Sequence, residues 1–95
     1  MEQKIKHREN ETNGVFYMPS DKGVLAELSY FKKGQNIIVI DHTETKKGHE
    51  GQGLASKLLE KAVRFAQENQ LKIDPLCPFA EVKFEQNEEY QKLRA

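Results

Sequence analysis

Asn36-Ile37-Ile38-Val39-Ile40-Asp41-His42-Thr43, followed closely by Gly48-His49-Glu50-Gly51-Gln52-Gly53-Leu54-Ala55, decides the fold of this chain. The first run is rich in β-branched residues and reads as a strand. The second is a glycine-rich turn, and directly after it the apolar period becomes helical. Ala55, Leu58, Leu59, Ala62 and Ala66 fall on one stripe with Val63 beside it, while Lys57, Glu60, Lys61, Arg64 and Glu68 take the wet side. Glycines at such a junction let backbone N–H groups turn toward an anion. The helix adds its free N-terminal donors and the positive end of its dipole. Strand, glycine turn and helix together make a phosphate-binding candidate.

Two nucleotide motifs fail on the residues. A P-loop needs Lys and Ser or Thr after its second glycine, and Gly53 is followed by Leu54-Ala55. A dinucleotide fingerprint forced onto Gly51 to Ser56, with Asp74 downstream, lacks its last glycine and the surrounding parallel strand–helix alternation.

Outward from the centre, Ile5 to Arg8 reads as a short strand, Asn10 to Gly14 as a turn, and Val15-Phe16-Tyr17-Met18 as a second strand. Pro19-Ser20-Asp21-Lys22-Gly23 signals a turn. Val24 to Lys32 forms a third strand with Leu28 and Tyr30 on one face, and Lys33-Gly34-Gln35 turns into the fourth. Short turns imply an antiparallel meander. Asn69-Gln70 closes the helix, and a right-handed crossover leads to a strand over Leu71 to Leu76. Pro78 opens a second helix running from Phe79 to Gln86, and Tyr90 to Arg94 forms a third. The order ββββ-α-β-α predicts an α+β fold with helices packed on a mixed, mostly antiparallel sheet.

The 95 residues make one domain spanning 1–95, near the small end of what folds alone. The 32% charged content stays below the disordered regime, and fifteen basic residues cancel fifteen acidic ones. Zero net charge argues against nucleic acid as a partner. One cysteine excludes an internal disulfide and fits a reducing cytoplasm. Met1-Glu2-Gln3-Lys4 lacks the apolar core of a signal peptide, and no run reaches membrane-spanning length. The expectation is a cytoplasmic protein with no membrane or nucleic-acid partner, monomeric or weakly dimeric.

Three ordered segments carry a resemblance: Ile40-Asp41-His42-Thr43-Glu44-Thr45, Gly51 to Leu58, and Pro75-Leu76-Cys77-Pro78-Phe79, continuing into Asn87-Glu88-Glu89-Tyr90. The chain resembles the GNAT superfamily of N-acetyltransferases, in particular its very small single-domain subgroup. The superfamily's loop pattern maps onto Glu50, Gly53 and Ala55, with Glu50 standing where Arg or Gln is usual. A carboxylate there costs affinity for a pyrophosphate, and Lys46, Lys47 and Lys57 are placed to restore positive charge.

The resemblance implies acetyl-CoA as cosubstrate. The fourth strand is expected to splay from the fifth, with the pantetheine arm pairing along the backbone of Thr43, Glu44 and Thr45 as an added strand would. The Thr45 N–H then serves as oxyanion donor to the thioester carbonyl. Gly48, His49, Glu50, Gly51, Gln52, Gly53, Leu54 and Ala55, with Lys57, are expected to hold the pyrophosphate.

Side chains offer several chemistries. Cys77 ends a strand just before Pro78, near a helix N-terminus that favours thiolate. It reads as a covalent nucleophile, as a lining residue at the thioester, or as a small buried hydrophobe. His42, taken to share a face with Ile38 and Ile40, reads equally as general base or as a satisfied strand histidine. Glu44 is a second base candidate acting through water. Tyr90 is expected to pack at the surface rather than protonate the leaving thiolate, His49 to face solvent, and His7 gives no signal. His7, His42, His49 and Cys77 form no close ligand pair, so no metal is expected.

Two functions follow. The first is direct acetyl transfer from acetyl-CoA to an amine, with a protein or peptide amine fitting the open acceptor side. The second is a CoA or acyl-CoA binding module without turnover. A small site around Cys77 and Phe79 favours acetyl over longer acyl groups.

Overall fold

Alternation of side chains fixes which face of the sheet is covered. A computed structural model describes residues 4–95; Met1 to Gln3, read above for a leader, lie outside the described residues. The strands are β1 (Lys6–Glu9), β2 (Asn13–Ser20), β3 (Gly23–Lys33), β4 (Ile37–Thr45) and β5 (Lys72–Pro75). They form one sheet in sequence order, antiparallel through β4, with β5 added parallel to β4. Phe16 and Met18, Ala26, Leu28 and Tyr30, Ile38 and Ile40, and Ile73 are all buried on the covered face. The expected ββββ-α-β-α order is the observed one.

Helix α1 (Leu54–Glu68) lies across this face and buries Leu54, Leu58, Leu59, Ala62, Val63 and Ala66. Leu54 takes the place in the stripe that Ala55 was expected to fill, and Ala55 is half-buried. Burial of each leucine contributes about 2 kcal/mol of transfer free energy. The helix closes through Asn69, whose side-chain amide donates to the Phe65 carbonyl at 2.8 Å. Gln70 then takes a left-handed φ of 58°, and Leu71 N–H reaches back to Ala66 O.

Helix α2 (Pro78–Glu85) starts with proline in its first turn and buries Ala80 and Phe84. Helix α3 (Glu88–Gln91) begins earlier than Tyr90 because Asn87 caps it, accepting from the amides of Glu89 and Tyr90. Beyond it the chain pairs with β5: Ile73 donates to Leu93 and accepts from Ala95.

Two turns are shorter than the sequence suggests. Asn10 Oδ1 accepts from the amides of Thr12 and Asn13, so β2 starts at Asn13 and takes in Gly14. Pro19 lies inside β2 at a register shift after Met18, where a missing donor is tolerated.

Candidate functional site

A bulge in β4 organises the site. Tyr30 of β3 pairs with Ile40 while its neighbour Ser29 pairs with His42, leaving Asp41 as the extra residue. Asp41 accepts from the Ser29 hydroxyl at 3.1 Å. The extra residue reverses the alternation beyond it. Thr43 and Thr45, opposite Leu28 and Ala26, point to the helix-covered face, and His42 and Glu44 point to the other. The expectation that His42 shares a face with Ile38 and Ile40 is therefore corrected: that alternation assumed an unbroken strand. His42 Nε2 stands 3.5 Å from Glu44 Oε2, and both side chains are more than half exposed.

At the same level β4 and β5 part. Their pairing runs from Ile37–Lys72 to Ile40–Pro75 and stops. The last link is Cys77 N–H to the Ile40 carbonyl at 2.9 Å. From Asp41 to Thr45 β4 pairs only with β3. Lys46 N–H donates to Leu25 O of β3, so by antiparallel alternation His42 and Glu44 also turn their backbone groups to β3. The N–H and C=O of Thr43 and Thr45 face the opening that β5 has left. Cys77 sits at its apex, 6% exposed, with Sγ 3.5 Å from Thr43 Oγ1.

The glycine loop continues from this edge. Gly48, Gly51 and Gly53 have φ of 94°, 81° and 76°, and a Cβ built on any of them meets nothing within 4 Å. These glycines leave bare, exposed backbone at the start of α1. Gly53 is the N-cap, without a side-chain cap bond and with no acidic residue in the first turn. The first helical bond runs from Lys57 N–H to Gly53 O, so the amides of Leu54, Ala55 and Ser56 lack carbonyl partners. Glu50 folds back on the loop, its carboxylate 3.4 Å from the Gly48 amide. The loop therefore offers donors and a dipole to an anion, and Glu50 competes for one donor. His49 is half-buried, its N–H bonded to Lys46 O, while Gln52 and Lys57 are exposed. The Leu54 side chain belongs to the core, leaving only its backbone to the loop.

Tyr90 stands elsewhere. It packs on Phe84 and lines a groove with Ser56, Lys57 and Glu60 that contains neither Thr43 nor Cys77. Burial, with the Glu60 carboxylate, raises its hydroxyl pKa. Among the described residues, no group of three or more His, Cys, Asp or Glu is placed to hold a metal ion.

One polar cluster escaped the sequence reading. His7 stacks on Phe16 at 4.0 Å, and its Nε2 lies 2.6 Å from the Tyr30 hydroxyl. That hydroxyl donates to Glu9 at 2.8 Å, so the ring nitrogen donates to Tyr30. Lys32 completes the cluster 3.5 Å from Glu9. The signal was the pairing of His7 with Phe16 across β1 and β2, which depends on register.

A family profile described as GCN5-related N-acetyl-transferase matches residues 15–93. The fold is similar to the NMR structure of a GCN5-like protein from Staphylococcus aureus, with 35% identity and a TM-score of 0.72 over 95% of this chain and 87% of that one. It is also similar to a ribosomal-protein-alanine N-acetyltransferase from Brucella melitensis biovar Abortus 2308, with 17% identity and a TM-score of 0.62 over 81% of this chain and 62% of that one. An aminoglycoside acetyltransferase from an uncultured soil metagenomic sample gives 14% identity and a TM-score of 0.64, over 84% and 59%. The last two likenesses are of fold alone, and this chain spans about three-fifths of either protein. No curated protein matches the sequence.

Proposed function

The chain belongs to the GCN5-related N-acetyltransferase family, which implies an acyl-CoA cosubstrate, and from that premise we propose that it transfers acetyl from acetyl-CoA to an amine. The observation that carries this reading is the parting of β4 and β5 at Ile40, with the free backbone of Thr43 and Thr45 leading to the glycine loop. The pantetheine arm takes the strand position that β5 vacates. The pyrophosphate takes the amides from Gly48 to Ala55, and Thr45 N–H polarises the thioester carbonyl.

The acceptor ammonium first gives a proton to the Glu44–His42 pair, directly or through water, since only a neutral amine attacks. Its nitrogen then bonds to the thioester carbonyl carbon and the C–S bond breaks. The nitrogen releases its second proton as the amide forms, and the CoA thiolate takes up one. Cys77 lines the thioester end. Its buried place beside Thr43 and its backbone bond to Ile40 support a packing and lining role over that of a nucleophile.

The second reading, a CoA-binding module without turnover, is favoured by one observation: the bulge turns His42 and Glu44 away from the face that holds Cys77. Thioester consumption in the presence of an amine panel, for the native protein and for His42→Ala and Glu44→Gln, separates the two. Turnover that falls in either variant supports transfer, and none with any amine supports the module. β2 to β5 share one core with the helices and β1 pairs on β2 in the same sheet, so we take 1–95 as one acetyltransferase domain. No described helix is long and apolar enough to cross a membrane, and with its lone buried thiol the reading places the enzyme in the cytoplasm.

A further inference from the structure

Both strands leave their shared ladder at the same rung, each by its own device. On β5, Leu76 N–H donates to Asp74 O at 3.0 Å, closing a three-residue turn about Pro75, the partner of Ile40. Proline fixes its own φ, so that turn is stiff. On β4 the departure is the bulge at Asp41, and no glycine or proline marks it. Burial decides its phase. Without the extra residue His42 and Glu44 would turn to the helix-covered face beside Leu28 and Ala26, where unpaired polar groups are costly. Burial does not fix the bend, because a bulged residue leaves the ladder and the strand bends and twists there. Among the described residues, the one side-chain bond at Asp41 is the 3.1 Å bond from the Ser29 hydroxyl. Ser29 is itself held in the sheet, between Val15 of β2 and His42 of β4.

We propose that Ser29 is a positioning residue for the cofactor edge. By holding Asp41 it sets the bend of β4, and with it the direction of the Thr43 and Thr45 backbone groups toward acetyl-CoA. Strand length gives the magnitude. Thr45 lies four residues, about 13 Å, beyond Asp41, so a change of roughly 5° in the bend moves its N–H by about 1 Å. An oxyanion donor has to be held within about 0.5 Å. A tilt too small to disturb the core is therefore enough to misplace the donor. The Ser29–Asp41 bond is exposed and adds little to overall stability, so its loss should show in position. The inference rests on the proposed lie of acetyl-CoA along β4, and it brings a side chain of β3 into the site.

The test is amide hydrogen exchange on the full chain, followed by acetyl-CoA titration, for native protein, Ser29→Ala, Asp41→Ala, Ser29→Thr and Asp41→Asn. Threonine keeps the hydroxyl and asparagine keeps an acceptor oxygen. In the two alanine variants the amides of His42 and Glu44, which face β3, should exchange about three- to tenfold faster. Those of Leu58 and Ala62 in α1 should keep their native rates, which shows that the variants fold. Acetyl-CoA affinity should fall by about the same three- to tenfold factor, and Ser29→Thr and Asp41→Asn should restore both readouts. Unchanged exchange at His42 and Glu44 in both alanine variants overturns the proposal. Faster exchange with unchanged affinity also overturns it, since the bond is then purely structural, and so does equal acceleration at Leu58 and Ala62. If native protein shows no response to acetyl-CoA, the proposed lie of the cofactor falls and the proposal with it. Equal binding by native protein and both alanine variants removes Ser29 alone.

Discussion

The amide of Cys77 donates to the carbonyl of Ile40 across 2.9 Å, and beyond that bond β4 and β5 no longer pair. This one link holds the start of α2 to the central strand just where the bulge at Asp41 begins. Because it is a backbone bond, it survives replacement of the thiol. Cys77→Ala should therefore keep acetyl-CoA affinity within about threefold and leave turnover within about tenfold, since a lining group carries little transition-state stabilisation. Intact-protein mass spectrometry after mixing with acetyl-CoA should show no acetyl group on native protein. An acetylated Cys77, or activity abolished in the variant, would make the thiol the nucleophile.

Glu50 sets a charge against the anion its own loop is shaped to receive. Its carboxylate lies near the Gly48 amide, 3.4 Å away. Glu50→Gln removes the like charge and should tighten CoA binding by about fivefold at low salt, with the gain shrinking as salt rises. Calorimetry at two salt concentrations checks both parts. Gly53→Ala acts in the opposite sense. At φ 76° a side chain costs about 1 kcal/mol, and the methyl stands over the bare loop backbone, so affinity falls.

Gly14 is the only glycine of the six at which a side chain would meet other atoms. A Cβ there would collide with the Tyr30 ring at Cζ and the hydroxyl, and His7 and Glu9 hold that ring at its hydroxyl. Gly14→Ala should destabilise by about 1–3 kcal/mol, the usual cost of overpacking. Thermal denaturation should show a Tm loss of about 4–8 °C for each kcal/mol in a chain of this size. An unchanged Tm would mean that the ring moves aside freely.

Acid should weaken the same cluster in two stages. Burial holds His7 below its ordinary 6.5, outweighing the nearby Glu9 carboxylate. The hydrogen bond from Tyr30 holds Glu9 below 4.5. For both groups the unfolded chain binds more protons, so stability rises with pH. The His7 contribution is complete above 6.5 and is lost as pH falls through its lower folded value. The Glu9 contribution is complete above 4.5 and lost the same way. Denaturant midpoints across this range should fall on acidification in native protein, and His7→Phe should remove the first stage while keeping the second.

Much of this architecture is legible in the sequence because periodicity follows burial. The stripe from Leu58 to Ala66 meets Ile38 and Ile40 of the β-branched run in one core, and both stripe and run read correctly. Gly48 to Gly53 read correctly as a turn because only backbone needs to fit there. The Asp41 bulge was not legible. No glycine or proline marks it, and it exists because β3 and β4 must pair on both sides of it. That single residue decides which face His42 takes, so the side-chain part of the site depended on a tertiary fact. Asn87 before Glu88-Glu89 was a readable cap signal. The His7–Tyr30–Glu9 chain joins residues more than twenty positions apart, and no local pattern announces it.

The central claim is that acetyl-CoA lies along the edge of β4 that β5 leaves open. Two-dimensional amide NMR of the native protein, titrated with acetyl-CoA, tests it most directly. The account predicts the largest shifts at Thr43, Thr45 and Cys77, together with Gly48 through Ala55, and little change at Lys6 to Glu9. Shifts confined to other surfaces, or none at millimolar ligand, would contradict it.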